Sequence, residues 1–271
     1  MSDAKQRVSE FWNKASCGEE LLLPSVEREG YVQQAQERYR LESFIPGFAD
    51  FDDSRGLKVL EIGVGLGADH QCFAQAGAHL FGIDLTPRAI EHTTRRLAVF
   101  GLKSTLAVGD AESLTFGDNT FDVVYSWGVL HHSPDTPKAF REVLRVLKPG
   151  GVARIMIYQK WSIVGLMLWI RYGLFRLRPW TSMSEIYSKH LESPGTKAYT
   201  PAEARAKLLV GFTDIHIETV LTHGDLLESG AGQRHQGALL NLARMIWPRR
   251  VIRFFAPHRG LFMLIRGRKP S

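Results

Sequence analysis

The chain has 271 residues, of which 44% are hydrophobic and 23% are charged, and its formal net charge is +6. These values are those of a soluble globular protein, and the length fits one α/β domain of ordinary size with additions. Two cysteines, Cys17 and Cys72, fit neither a disulfide framework nor a metal site. The N-terminus lacks an apolar core of signal-peptide length, and the apolar run 161–170 is shorter than the roughly 20 residues of a membrane span. We therefore expect a cytoplasmic protein.

The positive charge is concentrated at the C-terminal end. Residues 241–271 contain no aspartate or glutamate but eight basic residues. Such a surface is typical of contact with anionic lipid, a phosphorylated substrate or nucleic acid, and a solvated basic face explains it equally well. The chain has no zinc, helix-turn-helix or RNP signature, so nucleic acid is the least favoured of these partners.

Residues 1–54 are predicted to be helical and amphipathic, because Val8, Phe11 and Trp12 are spaced for one helical face. The aromatic residues Trp12 and Tyr31 fit two roles. They are either anchors in the core or contacts to a ligand.

The stretch 58–84 predicts a strand, a glycine turn, a helix and a second strand. The apolar run 59–62 suits a buried parallel strand, and the helix is predicted at about 68–76. Glycines let the backbone approach a ligand closely at the positive end of that helix. Asp84 follows the second strand, where a carboxylate accepts hydrogen bonds from ribose hydroxyls. The three glycines stand at alternate positions and are Gly63, Gly65 and Gly67.

Two ligands fit this turn, because Gly63, Gly65 and Ala68 also satisfy the dinucleotide pattern G-x-G-x-x-G/A. Glu61 favours the other ligand, since a carboxylate beside a pyrophosphate is unfavourable but suits a cation such as a sulfonium. The stretch EIGVGLG resembles the first motif of class I S-adenosylmethionine (SAM) dependent methyltransferases. The resemblance implies that Asp84, with Leu85 after it, binds the ribose of SAM.

The next predicted elements continue the same repeat. Thr86 is a suitable N-cap for a helix over 88–100, and a third strand is predicted at 105–108. The sequence Gly109-Asp110-Ala111-Glu112 follows that strand. The resemblance implies that Asp110, with Ala111, lies near the adenine amino group, whereas Asp110 also fits a purely structural role in the loop.

A fourth strand is predicted at 121–126, and the segment WGVLHH follows at its C-terminal end, where open α/β sheets bind ligands. This segment resembles the family's fourth motif, which implies that Ser126 and Trp127 flank the methionine part of SAM. A helix over 135–147, a turn at the sequence KPGG (148–151) and a fifth strand over 152–157 are expected next. The KPGG turn is a further likeness to the family.

The likeness fades after Tyr158. We predict an apolar helix over 161–177, a polar loop over 178–199, and a helix that starts at Pro201 and ends at Gly211. Strands are expected at 212–220 and 261–265, with a helix over 237–247 between them.

The expected fold is α/β, with a Rossmann-like sheet of seven mostly parallel strands. The resemblance divides the chain into an N-terminal helical lid (1–54), a SAM-binding core (55–158), and substrate-cap helices with the last strands (159–271). Helical insertions are expected after strand 5 and between strands 6 and 7.

Four histidines are candidates for a catalytic base. Methyl transfer mainly requires alignment of donor and acceptor, and a base is needed only if the acceptor must lose a proton. His131 and His132 follow the fourth strand beside the expected methyl group, whereas His190 and also His223 lie on later loops. Each of these residues also fits a structural lining role.

The apolar run after Trp161, with arginines directly after it, predicts a hydrophobic acceptor such as an isoprenoid, a quinone or a lipid-like molecule. The same composition fits peripheral contact with an anionic membrane, a helix buried against the sheet, or a homodimer interface. A polar or phosphorylated metabolite held by the arginines is an alternative acceptor. A nicotinamide-dependent oxidoreductase and a noncatalytic SAM-binding scaffold are alternatives from other classes. No metal is expected.

Overall fold

The computed structural model describes residues 2–228 and 247–271. Its centre is one seven-stranded sheet in the order β3-β2-β1-β4-β5-β7-β6. All neighbouring strands are parallel except at β7, which runs antiparallel to both β5 and β6. The predicted fold class is confirmed. The strands are β1 Lys58–Ile62, β2 His79–Asp84, β3 Thr105–Val108, β4 Phe121–Trp127, β5 Leu147–Tyr158, β6 Thr213–Val220 and β7 Phe262–Arg268.

Helices cover both faces of this sheet. The N-terminal helices are α1 Asp3–Lys14, α2 Glu19–Leu22, α3 Arg28–Leu41 and α4 Ile45–Ala49. The helices of the repeating unit are α5 Ala68–Ala76, α6 Pro87–Phe100 and α7 Thr136–Val146. The later described helices are α8 Ile163–Tyr172, α9 Met183–His190, α10 Pro201–Lys207 and α11 Arg249–Phe255.

The buried side chains form two clusters, one on each face of the sheet. Val59 and Leu60 are adjacent in β1 but belong to different clusters, because successive side chains of a strand point to opposite faces. Phe140 of α7 packs with Leu60, whereas Phe73 of α5 packs with Val59. Two-sided burial explains why β1, β2 and β4 read as apolar runs.

The KPGG sequence is not a turn ahead of the fifth strand, as predicted, but part of β5. Leu147 already pairs with Phe121, and the next pair is Val152 with Val123, so extra residues bulge from the strand. Gly150 has φ of +75° within this bulge, and its N–H donates to the carbonyl of Lys269 at 2.9 Å.

The predicted helix over 161–177 is also wrong in length. Helix α8 ends at Tyr172. The next residue, Gly173, caps the helix, and glycine is a weak helix former. The predicted loop over 178–199 contains α9, whose N-cap Ser182 accepts a hydrogen bond from the N–H of Glu185. The expected helix over 237–247 lies outside the described residues.

Within 2–228 and 247–271, no helix combines the length and apolar character needed to cross a membrane.

Candidate cofactor and acceptor site

One large cavity of about 950 Å³ lies at the carboxyl ends of β1, β2, β3 and β4. Its sheet wall consists of the glycine turn, residues 83–86, residues 109–111 and residues 127–129. Parallel strands end at the same edge of a sheet, so these loops converge although they are distant in sequence. The volume is near the upper end for small-molecule sites and leaves room for more than one ligand.

The three glycines of the turn have different surroundings. A side chain at Gly63 would meet Val129 at 2.1 Å, and one at Gly67 would meet Thr93 at 2.9 Å. At Gly65 no atom lies within 4 Å of that position. All three have positive φ, between 51° and 84°. Gly63 and Gly67 therefore permit close protein packing, and Gly65 presents open backbone to the cavity.

Asp84 lines the cavity and also holds the turn in place. One carboxylate oxygen accepts from the N–H of Gly65 at 3.3 Å, and the other accepts from the N–H and hydroxyl of Thr86 at 2.9 Å. Burial raises the pKa of Asp84. Leu85 lies beside it in the same wall.

Glu61 lies at the base of the turn and is almost completely buried. Its carboxylate is 2.8 Å from Nδ1 of His70, whose other ring nitrogen is 2.8 Å from the Ser104 hydroxyl. Gly82 makes room for this ring, because a side chain there would lie 2.7 Å from His70. Burial raises the pKa of Glu61 well above its usual range and lowers that of His70 to about 3.

Asp110 binds a cation from the N-terminal helix. The Lys5 ammonium lies 2.5 Å from Asp110 and 2.7 Å from Glu112, so α1 is held over this edge of the cavity. The other oxygen of Asp110 accepts from the N–H of Glu112 at 2.9 Å. Ala111 lines the same wall. The structure thus gives Asp110 a loop-forming contact in addition to its place in the cavity.

The two residues predicted at the end of β4 differ in position. Trp127 lines the cavity and stacks on Tyr125 at 6.4 Å between ring centroids. Ser126 is fully buried, and its hydroxyl donates to the carbonyl of Ile62 at 3.0 Å. Ser126 therefore connects β4 to β1 beneath the turn and is not part of the cavity wall.

The adjacent histidines also differ. His132 lines the cavity, with Nε2 3.3 Å from the Glu192 carboxylate and Nδ1 2.8 Å from the Ser193 hydroxyl. The Tyr158 hydroxyl donates to the same Glu192 oxygen at 2.7 Å. His131 is fully buried behind this group, with its ring 4.0 Å from that of Tyr158, and burial lowers its pKa well below the usual value.

The two later histidines lie in different places, one outside the cavity wall and one within it. His190 stacks on Tyr172 with ring centroids 3.9 Å apart and is not among the residues that line the cavity. His223 does line it, and burial lowers its pKa.

Sequence reasoning missed a buried ionic group next to the glycine turn. Asp69 of α5 accepts two hydrogen bonds from Arg38, at 3.1 and 2.7 Å, and one each from the hydroxyls of Tyr39 and Tyr125. Burial acts to raise the pKa of Asp69, but Arg38 and the hydroxyls more than offset it, so the pKa is lowered. An acid in the first turn of α5 was the available signal. Its partner, 31 residues earlier, was not evident from spacing.

A second missed residue is Arg96 of α6, which is fully buried. Its guanidinium donates to the side chains of Gln71 and Gln34 at 2.7 and 2.6 Å, and to the carbonyls of Leu66 and Tyr31 at 3.1 and 2.9 Å. Burial lowers the pKa of Arg96 to about 10. This one side chain connects α3, the glycine turn and α5. It also gives Tyr31 a structural role, since Tyr31 is completely buried and does not line the cavity.

The wall opposite the sheet is apolar and comes from distant segments. Trp12 of α1 covers His132, with ring centroids 5.3 Å apart. Cys17 is exposed and also lines the cavity. Other apolar residues of this wall are Val8, Phe11, Leu21, Leu22, Leu41, Val164, Met167, Leu168, Ile170, Phe175, Leu191 and Leu227. Leu261 and Phe262, at the start of β7, line the cavity from the sheet.

Residues 60–155 match the family described as a methyltransferase domain. The predicted resemblance to class I SAM-dependent methyltransferases is thereby confirmed for the core. The matched residues begin in β1 and end in β5, and they include the whole sheet wall of the cavity.

Relatives of this domain are known in several proteins. Phosphoethanolamine N-methyltransferase 2 of Caenorhabditis elegans is 36% identical over 118 residues, which are 43% of this chain and 26% of that protein. The 2-methyl-6-phytyl-1,4-hydroquinone methyltransferase of Synechocystis is 35% identical over 108 residues, or 40% of this chain and 33% of that one. The chain thus spans about a quarter to a third of the length of these relatives.

A solved structure shares the fold over nearly the whole chain. It is Haemonchus contortus phosphoethanolamine N-methyltransferase 2 in complex with phosphomonomethylethanolamine and S-adenosylhomocysteine. The two chains are 19% identical with a TM-score of 0.61, over 97% of this chain and 60% of the other.

Proposed function

We propose that the protein is a SAM-dependent methyltransferase that acts on a hydrophobic small molecule. The main support is that one cavity extends from the open backbone of Gly65 to the apolar residues of α8. A donor at the glycine turn and an acceptor beside α8 would share this space, as direct transfer between them requires. The methyltransferase domain at 60–155 supports the same reaction.

The sheet wall fits SAM. Gly65 offers unobstructed backbone, and Asp84 offers carboxylate oxygens for ribose hydroxyls. Glu61 also lines this wall, but its buried carboxyl with a raised pKa supports the turn through His70 and does not supply a negative charge. When bound, SAM supplies a methyl group on an electrophilic sulfonium, and S-adenosyl-L-homocysteine is the product. The proposed set in this wall is Glu61, Gly63, Gly65, Gly67, Asp84, Leu85, Asp110, Ala111 and Trp127. Ser126, which was also predicted, would act only indirectly by holding β4 against β1 beneath the turn.

The chain would contribute to the reaction mainly by alignment and by excluding water. Helix α1 lies over the cavity, where Trp12 packs on His132 and Lys5 binds the two acids after β3. The lid role of residues 1–54 is a proposal that these contacts support.

We assign the role of base to His132 for an acceptor that must lose a proton. It lines the cavity, and Glu192 at 3.3 Å would stabilise the protonated ring. The buried His131 packs behind it and would position it. His190 stays a weaker prediction, because its stacked position on Tyr172 is outside the cavity wall.

The acceptor class follows from the wall that faces the glycine turn. That wall is largely aliphatic and aromatic, which favours an isoprenoid, a quinone or a lipid-like molecule. The Synechocystis relative, named for a phytyl-hydroquinone, agrees with this choice. The alternative is a phosphorylated metabolite. Arg171 lines the cavity and would bind a phosphate, and the Haemonchus structure contains a phosphorylated amine.

Two measurements test the proposal. Calorimetric titration should detect binding of SAM and no binding of NAD, and the reverse result would identify an oxidoreductase. Incubation with methyl-labelled SAM and a cell extract should then place label in the lipid fraction. Label in the aqueous fraction would favour the phosphorylated acceptor, whereas SAM binding without label in either fraction would indicate a noncatalytic scaffold.

A further inference from the structure

A set of large apolar side chains is exposed on one side of the molecule, and we call it the aromatic face. It comes from two segments, the end of α8 with the residues after it, and helix α11. Apolar residues scattered singly are normal on protein surfaces, but a group of this size marks an interaction site. Its most exposed members are Phe175 (71%), Leu177 (82%), Trp180 (78%), Phe254 (77%) and Phe255 (77%).

The two segments are neighbours in space. The N–H of Ile163, at the start of α8, donates to the carbonyl of Arg259 at 2.9 Å. A second cleft is lined jointly by Trp161 and Leu166 from the α8 region and by Ala256 and Arg259 from the α11 region. Trp161 and Leu166 are themselves about half exposed. Thr181, which follows Trp180, and Ala256, which follows Phe255, also line this cleft, so the two segments of the aromatic face are adjacent.

The charges around this face are mostly positive, and the one described ion pair among them joins Arg253 to Glu228 at 2.5 Å. Neither 161–182 nor 247–271 contains an aspartate or a glutamate. The exposed cations that surround the apolar side chains are Arg171, Arg176, Arg178, Arg250, Arg253 and Arg259. Aromatic side chains surrounded by arginines suit an apolar layer that has anionic groups at its surface.

The cavity opens at the same face. Phe175 and Arg171 line the cavity and are also exposed, and so is Leu21 on the opposite side of the opening. A hydrophobic molecule that left an apolar layer here would enter the cavity without crossing water.

The backbone supports an outward orientation of these residues. Leu177 has φ of +56°, a conformation that is unfavourable for a branched residue. Two capping hydrogen bonds hold this conformation, from the N–H of Leu177 to the carbonyl of Leu174 at 2.9 Å and from the N–H of Arg178 to that of Gly173 at 2.8 Å. They keep the Leu177 side chain in its exposed position.

We propose that the aromatic face docks on an anionic lipid bilayer and that the acceptor enters the cavity directly from it. Docking is interfacial, with Phe254, Phe255, Trp180 and Phe175 inserted among the acyl chains and the arginines bound to headgroups. The route of the acceptor rests on the proposed function, whereas the docking itself does not.

Sedimentation with lipid vesicles tests the docking. The whole protein should bind vesicles that contain phosphatidylglycerol and should bind pure phosphatidylcholine vesicles much more weakly. The double variant Phe254→Ser/Phe255→Ser should lose more than about tenfold in partitioning. The variant Arg250→Gln should lose about fivefold, corresponding to about 1 kcal/mol for one cation near an anionic surface.

The matched control is Val210→Ser. It removes an apolar side chain that is 66% exposed and lies just before the N-terminal end of β6. It should bind vesicles like the unmodified protein. Equal binding by the Phe254/Phe255 double variant, or no binding to anionic vesicles, would overturn the proposal. The proposal would also be overturned if Phe254 and Phe255 were needed for a homodimer or a nucleic-acid complex and the protein did not bind vesicles.

Calorimetry with SAM on the same variants separates this proposal from the proposed function. The double variant should retain unchanged SAM affinity, because Phe254 and Phe255 do not line the cavity. If neither the unmodified protein nor any variant binds SAM, the methyltransferase proposal is contradicted. The vesicle measurement would still decide whether the aromatic face docks on a bilayer.

Discussion

The two walls of the cavity consist of different chemical groups. The sheet wall consists of glycine backbone and buried carboxylates that follow consecutive parallel strands, and residues 60–155 supply all of it. The opposite wall consists of long apolar side chains from the N-terminal helices, α8 and the loops after α9 and β6. Backbone positions depend on the sheet and tolerate little change, whereas apolar side chains can be exchanged for others of similar size. The sheet wall thus suits one fixed cofactor, and the opposite wall can differ with the acceptor.

The largest expected effect concerns Arg96, which connects helix α3 to the glycine turn of the sheet wall. In Arg96→Met the side chains of Gln34 and Gln71 and two carbonyls lose their donor while still buried. We expect a loss of about 3 kcal/mol or more in the free energy of unfolding. Urea denaturation measures it, and Arg95→Met on the exposed side of α6 is the matched control, with an expected change within about 0.5 kcal/mol. Equal changes in the two variants would show that the contact between α3 and the glycine turn does not depend on Arg96.

The second effect tests the chemistry assigned to His132, which follows β4 and contacts Glu192 of the opposite wall. His132→Gln should lower turnover about a hundredfold while the dissociation constant for SAM is unchanged, because the ring faces the cavity beside Glu192. His190→Gln, outside the cavity wall, should keep full turnover. If His131→Ala and His132→Ala both retain full turnover with unchanged SAM affinity, the base assignment is wrong.

The third effect is a dependence of stability on pH. Glu42 lines the cavity near Arg38, and burial raises its pKa to about 7. The folded state therefore binds more protons at Glu42 than the unfolded state between the ordinary glutamate pKa and about 7. This contribution to stability is lost as the pH rises, by about 2.5 kcal/mol between about pH 5 and about pH 8.

The variant Glu42→Gln lacks this titration and should gain stability relative to the unmodified protein between about pH 5 and about pH 8. Chemical denaturation at both pH values measures the difference. Glu29→Gln, at an exposed position of α3, should show a constant difference. A constant difference for Glu42→Gln as well would contradict the raised pKa.

The smallest effect tests the sheet wall itself. Gly65→Ala should weaken SAM binding about tenfold while costing about 1 kcal/mol in stability, because its backbone has positive φ but open space around it. Gly63→Ala should instead impair folding, because the added carbon would overlap Val129. Unchanged SAM affinity in Gly65→Ala would move the cofactor away from this position.

The sheet wall could be predicted from sequence because its signals are local. Alternate glycines, an acid after the next strand and an N-cap at Thr86 are each recognisable within a few residues. The parallel topology then brings them together. The bounds of β1, α5, α6 and β3 agree with the predictions within about two residues, as expected for elements with clear caps.

The other wall could not be predicted because it depends on long-range contacts. Arg38 and Asp69 are 31 residues apart, and Lys5 and Asp110 are 105 apart, with no motif that relates them. Helix α9 was predictable in principle from Ser182 and Glu185, which have capping-box spacing. The Ser- and Pro-rich composition of the surrounding stretch instead favoured a loop.

The bonds of Arg96 have a consequence for the order in which the molecule opens. Helix α3 and the glycine turn share this one donor, so separation of α3 from the sheet removes partners from the turn at the same moment. Amide hydrogens in α3 and in residues 63–67 should therefore exchange with solvent water in a single kinetic group. Helix α3 would then be part of the same cooperative folding unit as the glycine turn.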